Sequence, residues 1–121
     1  MNNFIRLAWC GLILLVFWQA TSPSPHESTT LINDKLGHAL VFFLLGYLGW
    51  TGWHRTRFIG LMFAFLVFYG LLIEVVQYYV PGREFSLLDW AADIAGLIAA
   101  WTVVLLKKCQ CMTKLVIDEG R

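Results

Sequence analysis

Long apolar runs separated by short polar stretches make up most of this chain. The apolar runs cover residues 4–20, 36–53, 58–80 and 87–106 and contain few ionisable side chains. A helix needs about 20 apolar residues to cross a bilayer, and roughly 17 to 25 are tolerated. Membrane strands would instead alternate apolar with polar positions. The pattern therefore predicts an all-α fold, an integral membrane bundle of four transmembrane helices.

Composition supports the membrane class. Of the 121 residues, 59% are hydrophobic and 14% are charged, whereas soluble domains carry about 25% charged residues. We expect one membrane domain over 1–121, with 107–121 as a short cytoplasmic tail. The net charge is only +1 and no basic face is visible, which argues against nucleic acid as a partner and leaves the lipid bilayer.

Basic residues predict the orientation, because cytoplasmic loops carry an excess of Lys and Arg. With the N-terminus inside, only Lys35 and Arg83 lie on the outer side. The other seven lie on the inner side: Arg6, Arg55, Arg57, Lys107, Lys108, Lys114 and Arg121. We therefore predict both termini in the cytoplasm (N-in/C-in) of a multi-pass protein in a bacterial-type cytoplasmic membrane. Residues 54–57 then form an inner turn, and 81–86 form an outer turn that makes spans three and four antiparallel neighbours.

The first run also has features of a signal peptide. Arg6 supplies a basic start, and an apolar centre follows up to Trp18. Cleavage after Ala20 would place the bulky Trp18 where a small residue is preferred, so the sequence favours an uncleaved span and leaves cleavage as the alternative.

Polar residues inside or beside the apolar runs gather near the predicted outer side. They are Asp34, Lys35, His38, Glu74, Gln77, Arg83, Glu84, Asp89 and Asp93. Charge in hydrocarbon is costly and marks functional sites by default. With a rise of about 1.5 Å per residue, Glu74 and Asp93 are expected at similar depth on antiparallel neighbours.

Helical spacing places several of these residues on shared faces. The sets are Asp34 with His38, Gly70 with Glu74 and Gln77, and Asp89 with Asp93, Gly96 and Ala100. Small residues allow membrane helices to approach closely. The acids are therefore expected to point toward other helices rather than toward lipid.

Structural roles compete with functional ones for some residues. Ser86 and Asp89 fit an N-terminal capping box, and Lys35 can extend to the headgroups. Gln77 can join helices, and Arg83 can neutralise a neighbouring acid or a lipid phosphate. These alternatives stay open at the level of sequence.

The polar residues suggest acid–base chemistry or ligand binding. We assign Asp34, His38, Glu74 and Asp93 as candidate catalytic residues, in which Glu74 or His38 exchanges a proton and Asp34 orients the imidazole. The candidate binding residues are Lys35, Gln77, Arg83 and Asp89. So many acids at low dielectric cannot all stay ionised, and a divalent metal held by His38, Glu74 and Asp93 is one solution. Protonation or a cationic group of a substrate are the others, and the sequence identifies no cofactor.

The order and spacing of these residues resemble the VanZ-like family, small membrane proteins named after the teicoplanin-resistance protein VanZ. The matching positions are Asp34-Lys35-x-x-His38, Glu74-x-x-Gln77, Gly82-Arg83, Ser86, Asp89, Asp93 and Gly96. The family often has Asn where this chain has Asp93. The resemblance implies a helical membrane fold and a link to the cell envelope or to teicoplanin resistance, and it implies no specific reaction.

Three functions are consistent with the sequence. The preferred hypothesis is an outward-facing polar pocket that binds or acts on a lipid or a lipid-linked cell-wall precursor, with enzymatic activity left open. The alternatives are ion or proton transport, and a structural or partner-binding membrane subunit. The sequence leaves the oligomeric state open.

Overall fold

The computed structural model describes residues 2–23, 31–53 and 59–119. These residues form four helices: α1 (Asn2–Thr21), α2 (Leu31–Trp53), α3 (Ile59–Tyr78) and α4 (Leu87–Glu119). Each contains a stretch long and apolar enough to cross a membrane, where a helix satisfies every backbone polar group internally. The predicted all-α fold is confirmed, while the inner turn expected at 54–57 lies outside the described residues.

A tight turn ends α3 and leads the chain back into α4. The Arg83 N–H donates to the Val80 carbonyl at 3.1 Å. Pro81 stands second in this turn, and Gly82 stands third with φ of 80°, which matches a type II turn. The turn makes α3 and α4 antiparallel neighbours. At its other end α4 continues as a helix through Glu119, into the segment expected to be a short tail.

Among the described residues, α2 and α3 each contact the other three helices, whereas the backbones of α1 and α4 do not come close to each other. The most extensive packing joins α2 to α4, which run parallel. Small residues permit it. A Cβ on Gly96 would overlap the carbonyl oxygen of Ala39, and a Cβ on Gly46 would lie 3.1 Å from that of Ala100.

Side-chain hydrogen bonds to helix carbonyls attach α1 to the bundle. The Trp9 indole donates to the Leu45 carbonyl at 2.9 Å, and the Tyr69 hydroxyl donates to the Ile13 carbonyl at 2.6 Å. Such bonds join membrane helices where burial of apolar surface provides little driving force. They place α1 beside α2 and α3, which is where the cavity described below forms.

Candidate functional site

Two polar pairs link α2 to α4 where both helices begin, and we call this end of the bundle the polar end. Lys35 Nζ lies 2.7 Å from Asp89 Oδ1, and one turn deeper His38 Nδ1 lies 2.9 Å from Asp93 Oδ1. The exposed fraction of the side chain falls from 31% at Lys35 to 1% at Asp93. The polar end thus leads from a partly exposed ion pair to a buried imidazole–carboxylate pair.

Glu74 connects α3 to the start of α4. Its side chain is completely buried, and Oε2 accepts the Ser86 backbone N–H at 2.9 Å. The Ser86 hydroxyl oxygen in turn accepts the Asp89 N–H at 3.3 Å. Ser86 therefore caps α4 as predicted, but the acid that completes the cap comes from Glu74 on another helix. The Asp89 carboxylate is left to pair with Lys35.

The structure brings His38, Glu74 and Asp93 together. One ring nitrogen of His38 and one oxygen of each carboxylate all lie within 4.8 Å of one another. Glu74 and Asp93 converge at a common depth, as helix rise predicts. Each keeps one buried oxygen, Glu74 Oε1 and Asp93 Oδ2, that has no hydrogen-bond partner among the described residues. Buried carboxylate oxygens of this kind are costly.

The structure gives His38 and Lys35 partners other than those expected from the sequence. The carboxylate on His38 Nδ1 belongs to Asp93, not to Asp34, which is exposed at the start of the described part of α2. Lys35, expected to hold a ligand anion, is engaged by Asp89. The reason is packing: the acidic stripe of α4 faces α2, so α4 supplies partners for Lys35 and His38.

A cavity of about 470 Å³ opens beside this cluster, between α1, α2 and α3. Its polar part is lined by Gln19, Asp34, His38, Gln77 and Arg83, and its apolar part mainly by Leu12, Leu15, Val16, Val41, Phe42 and Ile73. The volume lies within the range of about 300 to 1,000 Å³ that is usual for small-ligand sites. Polar and apolar surfaces in one cavity fit an amphiphile.

Arg83 lies at the polar part of this cavity, in the loop between α3 and α4. Its Nη2 donates to the Gln19 carbonyl at 3.2 Å, while Nε is buried and has no hydrogen-bond partner among the residues described. A guanidinium that lines the cavity and keeps a donor unused is suited to phosphate or carboxylate.

Sequence reasoning missed the contribution of α1. Gln19, Leu12 and Val16 form one side of the cavity, yet the first apolar run carries no charged residue besides Arg6. The polar Gln19 near the end of this run was the available signal. Gln77, predicted as a binding residue, is buried and does line the cavity.

Four helices able to cross a membrane and a buried polar cluster at one end define a multi-pass helical membrane protein. Residues 3–108 match the VanZ/LLP1 family over most of the chain, and the protein belongs to this family. The resemblance based on the polar motifs is thereby confirmed. No curated protein and no solved structure matches the chain.

Proposed function

We propose that this VanZ/LLP1 family protein binds an amphiphilic component of the cell envelope, a lipid or a lipid-linked cell-wall precursor. The supporting observation is the cavity between α1, α2 and α3, in which polar side chains and an apolar wall share one space of about 470 Å³. The headgroup would occupy the polar part, and the hydrocarbon chain would lie along the α1 side and continue into the bilayer.

Arg83 is the residue best suited to hold an anionic headgroup. Its guanidinium keeps a donor unused, whereas the Lys35 ammonium already pairs with Asp89. A planar guanidinium can bind two oxygens of a phosphate or carboxylate at once, which an ammonium cannot do. We therefore assign headgroup recognition to Arg83, assisted by Gln77, and a supporting role to Lys35.

His38 is the residue suited to proton exchange with the bound headgroup. It lines the cavity, and its Nδ1 pairs with Asp93 at 2.9 Å. A carboxylate on one ring nitrogen fixes the imidazole and leaves the other nitrogen to serve as acid or base. If the protein is an enzyme, His38 is the group that exchanges a proton, and Asp93 takes the orienting role first expected of Asp34.

The distribution of basic residues supports an orientation with both termini inside and with this cavity on the outer side of a bacterial-type cytoplasmic membrane. In that orientation the polar end of the bundle lies at the depth of the outer headgroups. That location supports a role toward envelope lipids or lipid-linked cell-wall precursors, and through them the link to teicoplanin resistance that the family resemblance implies.

Filling the cavity should remove the ligand without touching the polar cluster. Gly37 lines the cavity, and a Cβ there meets no atom within 4 Å, so we expect Gly37→Leu to reduce the cavity without a clash at Cβ. Gly11 in α1 is equally unobstructed but does not line the cavity, which makes Gly11→Leu the matched control.

The measurement is mass spectrometry of lipids that co-purify with the protein in polymer-bounded native membrane discs. We expect at least one envelope amphiphile to be enriched with wild type and with Gly11→Leu, and to be reduced by about tenfold or more with Gly37→Leu. That loss corresponds to roughly 1.4 kcal/mol of binding free energy. Equal enrichment in the two variants would refute ligand binding in this cavity.

A further inference from the structure

The amphiphile site gives roles to His38 and its partner Asp93, but it accounts neither for Glu74 nor for the convergence of His38, Glu74 and Asp93 in one cluster. Only His38 lines the cavity; the two acids are behind it, at relative exposures of 0% and 1%. One potential ligand atom from each residue lies within 4.8 Å of the other two. The three come from α2, α3 and α4, so the fold itself brings them together.

The hydrogen bonding of this cluster is incomplete in a specific way. Glu74 Oε2 accepts from Ser86, and Asp93 Oδ1 pairs with His38, but Glu74 Oε1 and Asp93 Oδ2 have no partner among the described residues. Protonating one of these oxygens would provide a donor to the other but would remove only one of the two negative charges. A bound cation satisfies both oxygens and compensates their charge.

We infer that His38, Glu74 and Asp93 form a binding site for a divalent transition-metal ion of the Zn²⁺ or Mn²⁺ type. An imidazole nitrogen beside two carboxylate oxygens suits these ions, whereas Mg²⁺ and Ca²⁺ favour oxygen ligands alone. Zn–N and Zn–O bonds of about 2.0–2.2 Å bring ligand atoms to roughly 3 to 4 Å from one another. The observed limit of 4.8 Å exceeds this range by roughly 1 Å, so the ligand atoms would move closer together around a bound ion.

A second set of potential ligands competes for the same histidine. Asp34, His38 and Asp89 also offer atoms within 4.8 Å of one another, but Asp89 is occupied by Lys35 at 2.7 Å and Asp34 is exposed. A cation there would have to displace the lysine ammonium. The site therefore belongs to the deeper set, and Asp34 provides the control that separates the two.

The test is metal binding by the full chain in detergent micelles, without added lipid. Zn²⁺ and Co²⁺ serve as probes after chelator treatment, in a background in which Cys10, Cys109 and Cys111 are all replaced by Ser, because thiolates compete for these ions. We expect one ion per chain, visible Co²⁺ absorption bands, and thermal stabilisation. At a free metal concentration 100 times the Kd, the unfolding constant should fall by about 100-fold.

Variants locate the ion. Glu74→Gln should weaken binding by about 100-fold or more, because loss of supporting partners alone costs 10- to 100-fold. Gln keeps an oxygen for the Ser86 N–H. Asp93→Asn keeps an acceptor for His38 and should weaken metal binding by a similar factor. If one of the two acid variants fails to fold, the other still tests the site. Asp34→Asn should bind as wild type does.

Several results would overturn the site. The Cys-substituted parent could fail to bind the metal stoichiometrically. Both Glu74→Gln and Asp93→Asn could retain metal binding, or Asp34→Asn could lose it. Because the measurement contains no lipid and the Gly37→Leu experiment measures no metal, failure of one proposal is distinguishable from failure of the other.

Discussion

Gly96→Ala tests whether the parallel contact of α2 and α4 holds the polar end together. A Cβ at this position would overlap the Ala39 carbonyl oxygen and would lie 2.9 Å from its carbonyl carbon and 3.0 Å from the Phe43 nitrogen. All three atoms belong to the backbone of α2. No side-chain rotation can relieve the overlap, so the two helices must move apart.

The magnitude follows from these contacts. Carbon atoms pack best at about 3.5–4.0 Å, so the contact with the Ala39 carbonyl carbon must lengthen by about 0.5 Å or more, and the overlapping carbonyl oxygen must move further still. Overpacking typically costs about 1–3 kcal/mol, and we expect the upper end because the obstruction is backbone. The helix propensity of Ala returns up to about 1 kcal/mol. Gly96→Ala should thus lower the free energy of unfolding by about 2 kcal/mol.

The matched control is Gly11→Ala on an exposed part of α1, where a Cβ meets nothing within 4 Å. It keeps only the propensity gain, about 0.5–1 kcal/mol, so the two variants should differ by about 3 kcal/mol. The assay is reversible unfolding by SDS in mixed micelles, followed by tryptophan fluorescence. If Gly96→Ala proves as stable as Gly11→Ala, the close α2–α4 contact is wrong.

Two further substitutions test the polar pairs directly. Lys35→Met leaves the buried Asp89 carboxylate unpaired and should destabilise the fold by about 1–3 kcal/mol. Adding Asp89→Leu in a double-mutant cycle should recover part of this loss. Additive effects of the two substitutions would contradict the ion pair. Gly70→Ala places a Cβ 2.8 Å from Asp93 Oδ2 and should displace that carboxylate. The imidazole NMR shifts of His38 should therefore change, although no ionisable group is removed. Unchanged shifts would contradict the contact between His38 and Asp93.

The sequence predicted the helices and the depth of the buried acids, because both follow from length and rise. The runs at 58–80 and 87–106 are apolar enough to identify from composition alone. Glu74 and Asp93 meet because the turn between their helices is short. The parallel α2–α4 contact was not predicted: the stripe with Gly96 on α4 was visible, but a stripe does not say which helix it faces.

Individual partners were also beyond the sequence. Helical spacing says that Asp34 and His38 share a face, but not how far α2 is rotated toward α4. In the observed rotation of α2, His38 pairs with Asp93 and Lys35 pairs with Asp89. The start of α4 at Ser86 could be predicted because an N-cap depends on local spacing. The acid that accepts the Ser86 N–H could not, because Glu74 lies on another helix.

The pairing of charges at the polar end favours a bound cation as the explanation for its deepest residues, His38, Glu74 and Asp93. Lys35 compensates Asp89, so His38 remains as the base within reach of Glu74 and Asp93 among the described residues. Even a protonated His38 would leave one of two ionised carboxylates uncompensated. Well-packed apolar residues stabilise a bundle as well as buried ion pairs do, or better. A purely architectural cluster would therefore gain nothing from oxygens without partners, whereas a site for a cation requires such oxygens.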